Sequence, residues 1–465
     1  MTSLDKIEPA LIAPAMTGGH HLAAELGETL KLAVPIALTQ LGQIAMMTTD
    51  IALIGRFGTE AVAAASLAHT VFFVCFTFGM GLVSAVAPLA AQAFGARNPH
   101  GIRRSLRVGL WAALVIALPM MALSFRGEPI LLALGQSPVA ARLAQEYLLG
   151  LTWSILPGLW FLAIRGFMSA VNRPEPILWI TLAAIPTNAV LVYLLLYGAF
   201  GLPNLGLFGA GLATSIVNLG TFLAALWFAA RRRPFRKFHV FGHLWRIDWQ
   251  LMRQLIVIGG PISISFLLEY GLFGAAGLLM GVISTTALAA HQIALQVAAV
   301  LFMVPFGISI AATVRVGHAI GRSDASGVYR AGMVATWLGI AIGAALTLAV
   351  MLSRFGIAKI FLGESTDATA ELSATLLLVG STFFVADGIQ TIAAGSLRGM
   401  NDTRVPLLFA TLSYWLIGFP CAWWLAFHTP LGAVGVWIGL SVGTAVYATL
   451  LLLRFRSLAR KLVFA

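Results

Sequence analysis

LKLAVPIALTQLGQIAMMTTDIALIG, residues 30–55, has one basic residue near its start, Lys31, and one acid deep inside it, Asp50. About 20 mostly apolar residues suffice for an α-helix to cross the hydrocarbon core of a bilayer. The stretch is long enough to span, and Asp50 is the residue such a span should avoid. The same ruler finds eleven more candidates, near 62–92, 106–125, 143–171, 176–198 and 209–230, then 251–281, 287–320, 331–353, 371–400, 405–427 and 431–453. The chain of 465 residues is 59% hydrophobic and only 10% charged, against about 25% charged residues in soluble domains. That composition excludes a soluble fold, disorder and a coiled coil. Its formal net charge of +12 sits in short runs between apolar blocks, so it implies a membrane topology and no nucleic-acid partner.

The basic residues also orient the chain. Arg97, Arg103, Arg104 and Arg107 follow the second span, Arg231, Arg232, Arg233, Arg236, Lys237 and Arg246 the sixth, and Arg454, Arg456, Arg460 and Lys461 the last. Odd-numbered connections are poor in Lys and Arg, so both termini are expected in the cytoplasm. Residues 1–25 lack the basic start, apolar core and cleavage site of a signal peptide. Cys75 and Cys421 lie in apolar stretches without metal-ligand spacing and read as free thiols.

A shift of 226 residues superposes Pro35 on Pro261, Gly55 on Gly281, Thr59 on Thr285, Gly81 on Gly307, and AFGARN (93–98) on AIGRSD (319–324). A shift of 229 then superposes Gly166 on Gly395 and Asn172 on Asn401. Each half has six spans and starts on the same side, so the halves are parallel repeats with substrate expected between them near mid-bilayer. The expected fold is an all-α integral membrane protein of twelve transmembrane helices in two pseudo-symmetric six-helix lobes. Its parts are an N-terminal extension (1–28), one lobe (29–230), a basic linker (231–248), a second lobe (249–455) and a tail (456–465). Paired lobes suit alternating access better than a channel.

Of seventeen acidic residues, fourteen fall in the extension, in connections or near span ends. Asp50, Glu269 and Asp387 do not, and a charge at a helix centre costs about 2.5–3.5 kcal/mol on insertion scales. Under the two shifts their counterparts are Ala276, Gln43 and Gly158, so the fold itself does not require the acids. Either each is neutralised by Arg165, Arg315, Arg398 or a histidine, or it binds a transported proton or cation. Gln40, Gln43, Asn188, Thr214 and Gln390 suit a cavity lining or helix–helix hydrogen bonding equally. Phe266, Tyr270, Phe273, Met46, Met47 and Met280 lie near the acids and suit flat hydrophobic cations, or plain packing. His69, His291 and His318 read as packing or hydrogen-bonding groups. The patterns GxxxxGK[ST], HExxH, CxxC and GxGxxG are absent, so no enzyme activity and no cofactor are expected.

The chain resembles the multidrug and toxic compound extrusion family in its bacterial norfloxacin-resistance branch. The resemblance spans residues 28–455 and rests on VPIALTQLGQIAMMTTDIALIGRFG (34–58), PLAAQAFGA (88–96), YGAFGLPNLGLFGAGLATSI (197–216), ALAAHQIAL (287–295), RVGHAIG (315–321) and AAGSLRGMND (393–402). It implies an antiporter of the bacterial inner membrane, monomeric, exporting organic cations in exchange for protons or sodium ions. It also implies cation coupling at Asp50, with Asn188 and Thr214 around it, and at the pair Glu269 and Asp387. With sodium as the coupling ion, those three acids would be its ligands. Gln43, Met46, Phe266, Tyr270 and Phe273 are the expected substrate contacts. Two departures, Val192 one turn after Asn188 and Phe383 one turn before Asp387, each remove an oxygen ligand and favour the proton. A flippase for lipid-linked sugars is the alternative, weakened by the acidic character of the buried charges; export of an endogenous metabolite is another.

Overall fold

The computed structural model describes residues 19–364 and 368–464. Seventeen α-helices follow in order: α1 (Gly19–Gly55), α2 (Thr59–Val83), α3 (Val86–Gly95), α4 (Pro99–Phe125), α5 (Gly127–Ala133), α6 (Pro138–Leu151), α7 (Ile155–Ala170), α8 (Glu175–Tyr197), α9 (Gly206–Arg231), α10 (Trp249–Ile283), α11 (Thr285–Gly321), α12 (Ala325–Leu362), α13 (Ala368–Val379), α14 (Ser381–Gly399), α15 (Arg404–Ala410), α16 (Phe419–Phe427) and α17 (Ala433–Phe464). Among the described residues, eleven helical stretches are long and apolar enough to cross a membrane, and the bent pair α13–α14, with a 45° turn, makes a twelfth when taken as one span. All twelve expected stretches are helical. Four of these spans are interrupted: at Ser84–Ala85, at the 3₁₀ turn Thr152–Ser154, at Gly380 and at the π-helical segment Thr411–Gly418. Helix α1 starts about two and a half turns earlier than the expected end of the extension, and α17 runs through the expected tail as far as Phe464. Residues 1–18 of the extension lie outside the described residues.

The repeat is visible as geometry. AFGARN and AIGRSD each end one helix and cap the next. Arg97 and Ser323 both take positive φ, 55° and 56°. Asn98 then accepts a hydrogen bond from the Gly101 amide at 3.0 Å, and Asp324 accepts one from the Gly327 amide at 2.9 Å. These are N-caps, worth about 1 kcal/mol each. Asn172 and Asn401, matched by the second shift, have φ 63° and 60°, a conformation Asn tolerates better than most residues.

The same offset relates the contacts between the lobes. Gly81 abuts the backbone of Ser263, and its counterpart Gly307 abuts that of Ala37. Gly95 meets the His318 carbonyl, and its counterpart Gly321 meets the Gln92 carbonyl. No side chain fits at any of the four glycines, which is how small residues let membrane helices pack backbone to backbone. An apolar cluster fills this junction, with Leu32, Ala33, Ile36, Ala90 and Ala91 from one lobe and Ile308, Ala311, Ala312 and Val314 from the other. Each lobe also has its own core, around Phe161, Ile164 and Phe167 in the first and Trp437, Phe383 and Leu440 in the second. The lobes join at the end of the bundle that carries the basic connections.

Both cysteines are free, Cys75 buried and Cys421 partly so. The histidines hydrogen-bond: His69 with the Tyr147 hydroxyl at 3.1 Å, His291 with the Trp437 indole at 3.1 Å, and His318 with the Ala170 carbonyl at 2.6 Å.

Candidate functional site

Asp50 lies near the end of α1, 4% exposed, where α8 and α9 pack against it. Asn188 on α8 donates its amide to Oδ1 at 2.5 Å, and Thr214 on α9 donates its hydroxyl to Oδ2 at 3.2 Å. The other amide atom, Asn188 Oδ1, is buried without a hydrogen-bond partner. Three helices of one lobe thus converge on one carboxylate through neutral donors. Hydrogen bonds to an ionised acceptor are about twice as strong as neutral ones, but they leave the net charge in place.

The second lobe brings Glu269 on α10 and Asp387 on α14 together around Gln390. Its amide nitrogen donates to Asp387 Oδ1 at 2.9 Å, lies 3.4 Å from Glu269 Oε1, and is 3.1 Å from Thr391 Oγ1. Two carboxylates sharing one neutral donor repel each other when both are charged, and a proton or cation between them removes the repulsion. Asp50 bonds only within its own lobe, so the structure holds one acid in the first lobe and a separate pair in the second.

None of the proposed neutralising arginines pairs with these acids. The ion pairs among the described residues are Lys31–Glu28, Arg104–Asp248, Arg315–Glu25, Lys359–Glu364 and Arg454–Asp402. Arg315 binds both oxygens of Glu25, at 2.8 and 2.9 Å. Arg165 donates to Gln40 Oε1 at 3.3 Å, and the Arg398 guanidinium stands 5.0 Å above the Phe266 ring. Arg398 influences Glu269 only from beyond ion-pair distance.

The expected substrate contacts divide. Gln43 is exposed and Met46 half-buried on α1, along the stripe that leads to Asp50. Tyr270 meets Phe73 of the other lobe at 4.9 Å between ring centroids, and Phe266 packs against the first lobe's core. Phe273 instead sets its ring edge-on to Phe383 at 5.9 Å, within the second lobe's own packing. Val192 is fully buried among apolar neighbours, and Phe383 lies beneath Trp437, so neither departure position offers an oxygen. Two residues not anticipated from the sequence stand near the acid pair. Tyr414 lies against Glu269, and Tyr447 packs on Tyr414 at 5.0 Å. Tyr414 falls in the π-helical segment, a geometry frequent at functional sites. The only hint in the sequence was its rarity, with seven tyrosines in the whole chain.

Solved structures share this architecture. A eukaryotic MATE transporter, AtDTX14, superposes with a TM-score of 0.86 over 95% of this chain and 98% of its own, at 20% identity. A multidrug resistance MATE family transporter of the MOP superfamily, in an outward-facing conformation, gives 0.85 over 97% and 99%, at 19% identity. In sequence, the probable multidrug resistance protein NorM of Bradyrhizobium diazoefficiens is 66% identical over 465 residues, 100% of both chains. The protein of the same name from Rhodopseudomonas palustris is 59% identical over 456 residues, 98% of this chain and 96% of its own. The MatE pattern matches twice, at residues 35–194 and 261–424, one match in each lobe and starting at the paired prolines. With both lobes matched and a full-length relative at that identity, the chain belongs to the MatE family, a family of multi-pass membrane transporters and not of enzymes.

Proposed function

We propose that the protein is a secondary active multidrug efflux antiporter of the bacterial inner membrane, exporting organic cations in exchange for protons. The observation that carries this reading is the set of three carboxylates inside the helix bundle, Asp50 and Asp387 buried and Glu269 partly buried, held by neutral donors with no cation in ion-pair range among the described residues. An intramembrane acid that is not permanently neutralised is positioned to trade one positive passenger for another. The names of the sequence relatives support the multidrug part of the reading.

The proton is favoured over sodium by the donor set. Sodium needs several oxygens, whereas Val192 and Phe383 place hydrocarbon where two would stand. Around Asp50, the unpartnered Asn188 Oδ1 offers an acceptor to a protonated carboxyl. In the proposed cycle, a cation enters between the lobes while the acids are ionised; after reorientation, incoming protons neutralise them and weaken the hold on the cation. The membrane potential favours the inward movement of each coupling charge by about 2.3 kcal/mol per 100 mV. The positive-inside bias places the basic end, where the lobes meet, in the cytoplasm, so that this arrangement is the one shut toward the cytoplasm.

Ethidium efflux from proteoliposomes, driven in turn by a pH gradient and a sodium gradient, tests both parts. The expected result is efflux with the pH gradient, lost in Asp50→Asn, Glu269→Gln and Asp387→Asn. Undiminished efflux in all three variants sinks the exchanger reading, and efflux with sodium alone replaces the proton.

A further inference from the structure

The segment between the lobes is a strap fastened to two helices of the first lobe, α7 and α4. Its 3₁₀ turn, Phe235–Phe238, sets Phe235 and Phe238 against Phe167 at 5.9 and 5.6 Å. From there to α10 the strap runs along α4, where Arg103, Arg107 and Trp111 recur at every fourth position. Arg103 lies against Gly242, Arg107 donates to the His243 carbonyl at 3.3 Å, and Trp111 donates to the Leu244 carbonyl at 2.7 Å. Arg104 holds Asp248.

Fastening does not account for all of this charge. Arg107 is 8% exposed, yet its Nε has no hydrogen-bond partner, and the buried Nε of Arg103 has none either. Neither arginine is in an ion pair, and Asp248, the acid beside them, is taken by Arg104. Arg246 adds a further exposed cation to the same group. An indole at position 111 satisfies its strap carbonyl without any charge, so guanidinium groups are not needed for the fastening alone. Unmet buried donors on arginines call for an anion with several acceptor oxygens, and a phosphate group matches arginine geometry well.

The hydrocarbon around them points to the membrane surface. Trp245 is 86% exposed, Trp249 72% and Phe241 53%, all at the basic end beside these arginines. Exposed indoles next to basic side chains are the residues that settle at the headgroup level of a bilayer. We propose that Arg103, Arg107 and Arg246, with Trp245 and Trp249, form a binding site for the phosphate group of an anionic membrane lipid. Free phosphate shares the recognised chemistry and is the other source of such a group. The proposal does not depend on the transport reading.

The test uses the full chain in neutral detergent, titrated with phosphatidylglycerol, phosphatidylcholine or sodium phosphate. Melting temperature is one readout, and quenching of tryptophan fluorescence by phosphatidylglycerol with brominated acyl chains is the other. Phosphatidylglycerol should stabilise the protein and quench its fluorescence at concentrations where phosphatidylcholine does neither. Arg246→Gln and Arg103→Gln should each weaken this binding about fivefold, the worth of one basic residue at an anionic surface, and Trp245→Phe should reduce the quenching. Arg107→Gln loosens the strap itself, so the two other arginines carry the test. Equal effects of the two lipids, or unchanged binding in both arginine variants, overturn the proposal. Stabilisation by sodium phosphate alone, lost in the same variants, upholds the phosphate site and assigns its source to solution.

Discussion

At the scale of single residues, Asp50 separates charge from shape. Asp50→Asn keeps the volume and leaves groups for Asn188 and Thr214 to bond, while removing a buried charge that no cation among the described residues pairs with. Its expected effect is an unchanged or slightly raised melting temperature with coupled dye efflux reduced at least tenfold, measured on the same purified sample. A loss of folding instead would mean that the charge is structural. The departure positions make a complementary prediction. Phe383→Tyr restores an oxygen beside the acid pair and should increase the response of efflux to a sodium gradient. The hydroxyl enters a site packed by Trp437 and Phe273, so a stability cost of about 1–3 kcal/mol is expected from burying it without a full set of partners. The acids themselves were legible in the sequence because a carboxylate in a run of apolar residues is conspicuous. Their surroundings were less so. Arg315 seemed available to neutralise a mid-membrane acid, yet it pairs with Glu25, which counts in the sequence as part of a polar extension. Only the fold puts α1 and α11 side by side.

At the scale of elements, twelve spans and their repeat could be read directly, because length, hydropathy and the AFGARN and AIGRSD turns have local signatures. The interruptions at Ser84–Ala85, Gly380 and Thr411–Gly418 could not, since a change of backbone hydrogen bonding inside an apolar run alters no composition. The start of α10 is a well-signalled element with a second task. Asp248 caps it by accepting from the Leu251 amide at 3.1 Å and also binds Arg104 on α4. Burial alone would raise its pKa, but the Arg104 guanidinium and the Leu251 amide pull it below the usual carboxylate value. A carboxylate with a depressed pKa stabilises the fold above its unfolded value, about 3.9, and loses that contribution as pH falls through the lower folded value. Asp248→Asn preserves a capping side chain and removes the charge. The melting-temperature difference between wild type and this variant should therefore be constant from neutral pH down to the ordinary carboxylate range and shrink only below it. A difference that vanished between pH 6 and 8 would contradict the pairing.

At the scale of the whole molecule, two ion pairs cross between the lobes in a reciprocal arrangement. Glu25 on the first helix of one lobe binds Arg315 on α11, and Asp248 at the first helix of the other binds Arg104 on α4. They flank the junction where glycine backbones touch, and His318 and Gln92 reach across it to the Ala170 and Gly399 carbonyls at 2.6 and 2.9 Å. If the lobes rock, this junction must part, and every bond in it favours the state that is closed at the basic end. Glu25→Gln leaves Arg315 buried without its carboxylate, and removing one partner of a buried pair is worth up to about 3–5 kcal/mol. Even a third of that, about 1.4 kcal/mol, shifts a two-state equilibrium tenfold. The probe is a cysteine at Ala91, fully buried against Gly317 at the junction, in a chain whose Cys75 and Cys421 are replaced by alanine. Reaction with a membrane-impermeant maleimide supplied at the basic end should be about tenfold faster in Glu25→Gln than in the parent. Equal rates would mean that the Glu25–Arg315 pair adds nothing to the balance between states, and that the glycine contacts, the His318 and Gln92 bonds and the Arg104–Asp248 pair hold the junction without it.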